Sequence, residues 1–351
     1  MRPHAPRLPI GGDFELTQDS PGNLDKLIEL TKGRAGSWTL SGRSALALVF
    51  QELQGKGTTH IHLPAYLCDS IIAPLQALNL EYSFYKVDEN LIGDPQPPPN
   101  AAVLLIDYFG WPNSRFNDDV VVIVDRCQSF LSEWTSLTAP SHYIVSSPRK
   151  FGPTGLGGWC NLDRVTDEPN QESKAIVEKS WAARRLKGKY LAETNALDNA
   201  VEQSYLTSLA EVEKYLDNHP TESGIPEVAL QMIAGMDWAS IAQKRRDNWQ
   251  QLVQLLPSQV EPVLTNLPDG VVPLGLLVRV PNRNEVRKQL AVERIFCPVH
   301  WPLPEQVDPS AFPVSRKLAD TLLTLPIDQR YSEVEMTRLA EALQRAVGAN
   351  S

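Results

Sequence analysis

The sequence has few cysteines and no long apolar segment, and both absences narrow what the protein can be. Only four of its 351 residues are cysteine, and none stands in a C-x-x-C pair of the kind that indicates a zinc site. We therefore expect no metal site, and a reducing, cytoplasmic location. The longest apolar runs, Ala101–Ile106 and Val120–Val124, are far below the ~20 residues of a membrane-spanning helix. Residues 1–10 lack the apolar core of a secretory signal, so none is expected.

Positive charge is also scarce. The chain has 33 Lys and Arg against 42 Asp and Glu, a formal net charge of -9. An acidic chain binds a phosphate backbone poorly, so nucleic acid is disfavoured as a partner. The 42% of hydrophobic and 21% of charged residues are ordinary for a globular protein. The length is enough for about two domains of roughly 100–200 residues each.

The first part of the chain alternates between helical and strand periodicity. Helices are predicted over Ser44–Leu53 and Ser70–Leu78, and strands over Thr59–Leu63, Leu80–Val87, Ala101–Ile106 and Val120–Val124. The last two strands are apolar without interruption, which is typical of a parallel sheet covered by helices on both faces. The sequence therefore predicts an α/β fold.

The second part of the chain reads differently. Two long helical stretches are predicted, over residues 172–216 and 228–256, and a smaller α+β pattern follows. That pattern consists of strands over Leu274–Val280 and Ile295–Val299 and helices over Asn284–Ala291 and Ser332–Val347. We divide the chain into an irregular lead-in (1–35), a large domain (36–240) and a small C-terminal domain (241–351).

One candidate site lies where the first predicted helix begins, in the segment Ser41-Gly42-Arg43-Ser44. Backbone N–H groups at a helix N-terminus beside a glycine bind anions such as phosphate. A serine at this position can equally be a simple helix cap. Gly42 and Arg43 are therefore candidate phosphate-binding residues.

Two further candidates are an acid and a lysine later in the chain. Asp125 follows a buried strand, and ligands of open α/β sheets bind at such strand ends, although an acid there can also cap a turn. Lys150 precedes Gly152 and the glycine-rich segment Gly155–Gly158. Glycines let backbone approach a ligand closely, but a lysine in a loop can also be an ordinary surface residue.

Taken together, the three features suit pyridoxal 5′-phosphate (PLP). This cofactor has one phosphate, one ring nitrogen that must stay protonated and one aldehyde that needs an amine. The Asp125 carboxylate would favour the protonated ring nitrogen. Lys150 would condense with the aldehyde and then carry protons.

The same segments resemble a known family, the sugar aminotransferases of the DegT/DnrJ/EryC1/StrS type. Residues 41–46 resemble its S-G-T-x-A-L turn, residues 64–66 its P-[SA]-[FY] segment, and residues 107–112 its H-[LY]-[YF]-G-x-P segment. Asp125-x-x-Gln128 resembles D-A-A-Q/H, and Lys150 with residues 154–158 resembles K-x-x-x-T-G-E-G-G. Weaker similarities occur at residues 245–246, 299–302 and 325–327.

The resemblance implies a fold-type I PLP-dependent transferase that acts as a homodimer. It implies that Lys150 is the catalytic lysine that bonds to the cofactor, that Asp125 meets the pyridine nitrogen and that Gln128 approaches the ring hydroxyl. Ser147, three residues before the lysine, is implied as a phosphate contact. Tyr66 and His300 are implied to lie near the substrate, and Trp301 beside them at the opening of the substrate site.

Some positions depart from the family pattern. Leu156 stands where the family has glutamate, Arg126-Cys127 replaces Ala-Ala, and Cys68 stands about where an aromatic residue stacks on the cofactor. The first hypothesis is an aminotransferase that moves an amino group from an amino acid, such as glutamate, to a nucleotide-linked keto-sugar. A second keeps PLP but takes a non-sugar substrate or catalyses dehydration or racemisation. A third is a catalytically silent relative.

Overall fold

The protein is described here from a computed structural model that covers residues 8–113, 120–133, 142–164, 166–193 and 199–348. Residues 1–7 of the predicted lead-in and residues 194–198 of the first long helical stretch lie outside this description. The strands are β1 (Ile10–Gly11), β2 (Ser37–Thr39), β3 (His60–Pro64), β4 (Glu81–Tyr85), β5 (Ala101–Ile106), β6 (Val122–Asp125), β7 (His142–Ser146), β8 (Gly158–Cys160), β9 (Glu261–Pro262), β10 (Leu276–Arg279), β11 (Ile295–Phe296) and β12 (Leu322–Leu325). The helices are α1 (Lys26–Leu30), α2 (Gly42–Gly55), α3 (Ile72–Ala77), α4 (Gln171–Ala192), α5 (Asn199–Asn218), α6 (Glu227–Ala234), α7 (Trp238–Leu255), α8 (Arg283–Val292), α9 (Pro313–Thr321) and α10 (Glu333–Gly348).

A seven-stranded sheet in the order β2-β8-β7-β6-β5-β3-β4 forms the centre of the molecule. The five strands from β7 to β4 are parallel, whereas β8 and β2 are added antiparallel at one edge. Every residue of β5 and β6 is buried, as expected for a sheet covered on both faces. The predicted α/β fold with a mostly parallel sheet is confirmed.

Helix α2 begins at a serine cap and packs its apolar side on this sheet. The Ser41 hydroxyl accepts a hydrogen bond from the backbone N–H of Ser44 at 3.2 Å, which satisfies one of the free N–H groups of the first turn. The helix buries Ala45, Val49 and Leu53, at helical spacing, and packs against β7 and β8. The N-terminus of α2 is thereby fixed at the carboxyl edge of β7.

A second, antiparallel sheet in the order β12-β10-β9 lies in the C-terminal part of the chain. Helices α7, α8 and α10 pack with it around one apolar cluster. The lead-in is not wholly irregular, because β1 pairs with β11 in parallel and Ile10 is buried in the same cluster. The expected small α+β unit is therefore present, while the boundary near residue 240 stays a prediction.

The two long helical stretches of the sequence each contain two helices. In the first, α4 and α5 pack against each other, with the Tyr190 and Tyr205 rings 5.7 Å apart. In the second, α6 ends at Ala234 and α7 begins after Asp237. The Asp237 carboxylate accepts a hydrogen bond from the Ser240 N–H at 3.0 Å. The helical periodicity of the sequence continues through this break, so periodicity alone does not show that a new helix, α7, begins after the Asp237 cap. None of the helices in the described ranges is both long and apolar enough to cross a bilayer.

Candidate active site

The candidate site lies at the carboxyl edge of the parallel sheet, where neighbouring strands end side by side. Asp125 is the last residue of β6 and is 6% exposed. Its Oδ1 accepts a hydrogen bond from the backbone N–H of Cys127 at 2.8 Å. Burial, and then the nearby Asp125 carboxylate, raise the pKa of the Cys127 thiol. The carboxylate is thus held at the sheet edge beside a thiol that stays protonated.

Gln128 lies in the turn that follows β6, and only one of the two polar atoms of its side-chain amide is hydrogen-bonded. Its Oε1 accepts a hydrogen bond from the Phe109 N–H at 2.9 Å. Its Nε2 is buried and has no hydrogen-bond partner in the described part of the chain. Because an unpaired buried donor is costly, such an atom indicates an acceptor that a ligand brings.

The N-terminus of α2 faces the same place. A Cβ added at Gly42 would lie 2.9 Å from the Cys127 sulfur, so only glycine fits without a shift. Arg43 donates to the Asp217 carboxylate at 2.6 Å and lies 3.5 Å from the Glu213 carboxylate. The first backbone N–H groups of α2 and the Arg43 side chain, which is ion-paired with two carboxylates, therefore lie at the cavity that Asp125 also lines.

Ser147 and Lys150 follow β7. The Ser147 hydroxyl donates to the Gly157 carbonyl at 2.6 Å, so its proton is used within the protein. Lys150 is half-buried at the end of a single helical turn, Pro148–Lys150. Its neighbour Arg149 pairs with Glu213. Although burial opposes it, Arg149 lowers the pKa of Glu213 to about 2.

The structure brings six predicted residues to one small cavity of about 40 Å³, lined by Gly42, Arg43, Asp125, Gln128, Ser147 and Lys150. Cys68 and Trp301 also line it. Lys150 and Trp301 line a second cavity as well, of about 590 Å³. That volume is in the range of small-molecule sites.

His300 lines the larger cavity, and Tyr66 lines neither. The His300 Nδ1 lies 2.9 Å from the Thr324 hydroxyl. Burial, followed by the charge of Lys150, lowers the pKa of His300 to about 3, so the ring is neutral near pH 7. Tyr66 is 1% exposed and donates to the His300 carbonyl. Its ring packs at 5.6 Å against Trp301, which is the aromatic residue that reaches both cavities.

Sequence reasoning missed several charged residues of the larger cavity. Glu213 comes from α5, Arg287 from α8 and Arg330 from the loop before α10. Each lies in an ordinary polar stretch, and no local pattern marks it as a site residue. Only the packing of distant helices around the cavity reveals them. Among the described residues, no group of three or more His, Cys, Asp and Glu side chains is placed to hold a metal ion.

The residues of the small cavity fit PLP. Asp125 supplies a buried carboxylate for a ring nitrogen, Gln128 Nε2 supplies an unused donor for a ring hydroxyl, and Lys150 supplies an amine. The N-terminus of α2 offers backbone N–H groups for a phosphate. The fit rests on the unpaired Gln128 amide and on the close approach that Gly42 permits.

No family model matches the chain, and no curated protein matches it. Solved structures do match over nearly its whole length. The aminotransferase TlmJ from Streptoalloteichus hindustanus has a TM-score of 0.68 at 14% identity and covers 97% of this chain and 100% of its own. Spr1654 from Streptococcus pneumoniae, assigned as a sugar aminotransferase and solved in its PLP form, has a TM-score of 0.63 at 13% identity, covering 97% and 93%.

A third match names the family. A DegT/DnrJ/EryC1/StrS aminotransferase from Brucella abortus has a TM-score of 0.60 at 16% identity and covers 92% of this chain and 90% of its own. At these identities the likeness concerns the fold. The chain therefore has the fold of the DegT/DnrJ/EryC1/StrS aminotransferases, which are fold-type I PLP enzymes.

Proposed function

We propose that the protein is a PLP-dependent aminotransferase. It would move an amino group from an amino acid, with glutamate as the first candidate, to a nucleotide-linked keto-sugar in polysaccharide or natural-product biosynthesis. The observation that carries this proposal is that Asp125, the unpaired Gln128 amide and Lys150 line one cavity in a chain with the aminotransferase fold.

The chain's own residues would hold the cofactor as follows. Asp125 would keep a proton on the ring nitrogen, because an adjacent carboxylate favours the charged form of a base. Gln128 Nε2 would donate to the ring hydroxyl. Gly42 and Arg43 would place the N-terminus of α2 against the phosphate. The Ser147 hydroxyl donates its proton to the Gly157 carbonyl and so holds the segment after β7 in place.

Lys150 would do the covalent and proton-transfer work. When bound, PLP supplies an aldehyde for the amine and an electron-withdrawing ring. The Nζ of Lys150, once released by the incoming amine, would take a proton from the donor α-carbon and return it on the cofactor side. His300, half-buried and with its pKa lowered to about 3, offers a hydrogen-bonding ring in the larger cavity without adding charge.

Two broader expectations belong to the same proposal. We propose a homodimer, as the resemblance implies, and a cytoplasmic location, since all four cysteines are free thiols, as they are in a reducing compartment. The partners would be the two small-molecule substrates.

The test of the cofactor is spectroscopic. Purified protein incubated with PLP should gain a visible absorbance band that survives dialysis, and Lys150→Ala should lose it. The matched control Lys288→Ala removes an exposed lysine of α8 and should keep it. Equal bands in Lys150→Ala and wild type would remove Lys150 from its proposed role.

The test of the reaction uses glutamate. Adding it to the PLP-loaded protein should convert the cofactor to its amine form and release the matching keto acid. The second hypothesis, a different PLP reaction or a non-sugar substrate, is based on the departures at Cys68, Arg126 and the fully buried Leu156. It would be favoured if the cofactor binds but no amino acid converts it. A protein that stays colourless with PLP would favour the catalytically silent relative.

A further inference from the structure

The larger cavity carries an excess of positive charge. Seven basic side chains line it, against three carboxylates, those of Asp13, Glu213 and Asp328. The whole chain has the opposite sign, with a formal net charge of -9. A cleft of one sign concentrates ligands of the other sign. The excess is therefore local to the cavity that also contains Lys150.

Most of these basic groups have acidic partners. Arg149 pairs with Glu213, and Arg330 donates to Asp328 at 2.7 Å. Arg184 lies 4.0 Å from Asp13. Within the described residues, Lys150, Arg245 and Arg287 are the basic side chains of this cavity that have no carboxylate within ion-pair distance, so the unbalanced charge of the cavity wall rests on these three.

Arg245 is a buried cation. It is 1% exposed, and its Nη1 donates to the Leu274 carbonyl at 2.9 Å. Its guanidinium stacks 4.8 Å from the centre of the Phe151 ring, and its Nε is buried without a hydrogen-bond partner among the residues that the structure describes. Burial lowers the pKa of Arg245 to about 10, which leaves it charged near pH 7. A buried cation that has no carboxylate in ion-pair contact is destabilising. The more distant Asp328 carboxylate offsets part of that cost, and a bound anion would add a direct partner.

Arg287 reaches the cavity from another element, α8. Its Nε donates to the Cys297 carbonyl at 2.9 Å, which fixes the base of the guanidinium at the cavity wall. Arg287 is exposed to solvent, and within the described part of the chain its two terminal nitrogens make no hydrogen bond or ion pair with the protein. They are a planar pair of donors, the geometry that binds carboxylate and phosphate in bidentate fashion.

We propose that Arg245 and Arg287 form an anion subsite of the cavity that contains Lys150, and that this subsite binds an oxyanion, carboxylate or phosphate, carried by a substrate. The link between this subsite and catalysis rests on the proposed function, because the anion would be held beside Lys150, the proposed catalytic lysine. It predicts that the substrate is acidic at a point away from the reacting carbon and that a neutral analogue binds poorly.

The test is calorimetric titration of the full-length protein, with and without added PLP. Glutarate and inorganic pyrophosphate are the two probes, one for each source of the oxyanion. The variants are Arg287→Gln and Arg245→Lys. Lysine is chosen at position 245 because it retains a positive charge at this buried position, so that the variant still folds. Lys288→Gln is the matched control, since it removes one charge from the same helix at a position that does not line the cavity.

We expect at least one probe to bind wild type and Lys288→Gln equally, and both arginine variants about tenfold or more weakly. The probe that binds tells whether the subsite takes carboxylate or phosphate. Failure of both probes to bind, or wild-type affinity in either arginine variant, would overturn the subsite. Both arginine variants should keep the visible PLP band, because neither arginine lines the small cavity, so loss of the subsite and loss of the proposed function are separate results.

Discussion

The Nε of Arg126 lies 3.7 Å from Oδ2 of Asp107, and both side chains are almost fully buried, at 1% and 2% exposure. The N–H of Asp107 donates to the Asp125 carbonyl, so this pair lies beside the strand end that carries the acid. Asp107 stands where the resemblance has histidine, and Arg126 stands where it has alanine. The two departures thus lie in contact and form one ion pair.

This pair also shapes the turn that holds Gln128. The Arg126 Nη2 donates to the carbonyls of Ser129, Ser132 and Glu133 at 3.2, 3.0 and 3.1 Å. The Asp107 Oδ1 accepts from the N–H of Asn113 at 2.7 Å. Burial raises the pKa of Asp107, and the Arg126 guanidinium opposes that rise.

We therefore predict that Arg126→Ala lowers the free energy of unfolding by about 3–5 kcal/mol, because it leaves a buried carboxylate without its partner. Urea unfolding followed by circular dichroism measures it. The double variant Asp107→Asn/Arg126→Met, which removes both charges, should lose less than the sum of the two single variants. Additive losses would show that the two residues do not act as a pair.

A second prediction concerns the glycine at the start of α2. A Cβ at Gly42 would meet the Cys127 sulfur at 2.9 Å and the Ser147 Cβ at 3.5 Å. Gly42→Ala should cost about 1–3 kcal/mol of stability by overpacking and weaken PLP binding, because the α2 turn must move. Thermal unfolding and PLP titration measure both effects.

The other end of the same helix supplies the control. A Cβ at Gly55 would meet no atom of the described residues within 4 Å. Gly55→Ala should leave PLP affinity unchanged and raise stability by up to about 1 kcal/mol, the helix preference of alanine over glycine. If both variants lose PLP affinity alike, close approach at Gly42 is not the reason.

The sequence predicts four strands of the central sheet and most of the small cavity, whereas strands β2, β7 and β8 are not predicted from it. β5 is an uninterrupted apolar run, and β6 is apolar up to Asp125 at its end. Asp125 and Lys150 lie at or just past the ends of neighbouring parallel strands, and strand ends that are adjacent in a sheet bring side chains together. The pairing of β6 with β7, which the structure shows, supplies this adjacency. The fold comparison confirms the architecture.

The walls of the larger cavity could not be predicted in this way. Arg245 and Arg287 belong to α7 and α8, and Arg330 lies in the loop before α10. Their meeting depends on how these segments pack, which no local spacing encodes. Tyr66 shows the reverse: its position in the motif suggests a ligand contact, but packing buries it against Trp301.

A third prediction concerns His300. Burial, and then the charge of Lys150, lower the pKa of its ring from 6.5 to about 3. Between these values the unfolded chain binds a proton that the folded protein does not. Folding stability from this residue is therefore lost as the pH falls below 6.5. The free energy of unfolding of wild type minus that of His300→Gln should fall by up to about 1.4 kcal/mol per pH unit in this window. Urea unfolding at several pH values measures the difference, and a flat difference would contradict a neutral His300 ring in the folded protein.

The last prediction concerns the half-paired amide of Gln128. Its Oε1 satisfies the Phe109 N–H inside the protein, whereas its Nε2 is buried without a partner in the described chain. Gln128→Met should therefore have two separate effects. The cofactor-free protein should lose about 1–3 kcal/mol, because the Phe109 N–H is left buried without an acceptor.

The cofactor should also stabilise the variant less than wild type. In wild type, PLP gives the Nε2 donor its acceptor, so binding removes an existing penalty. The methionine variant has no such donor, and we expect the PLP-induced rise in Tm to be smaller than in wild type at equal PLP concentration. The visible absorbance band should persist, because Lys150 is intact. An equal rise in Tm for both proteins would mean that Gln128 does not contact the cofactor and serves only to hold Phe109.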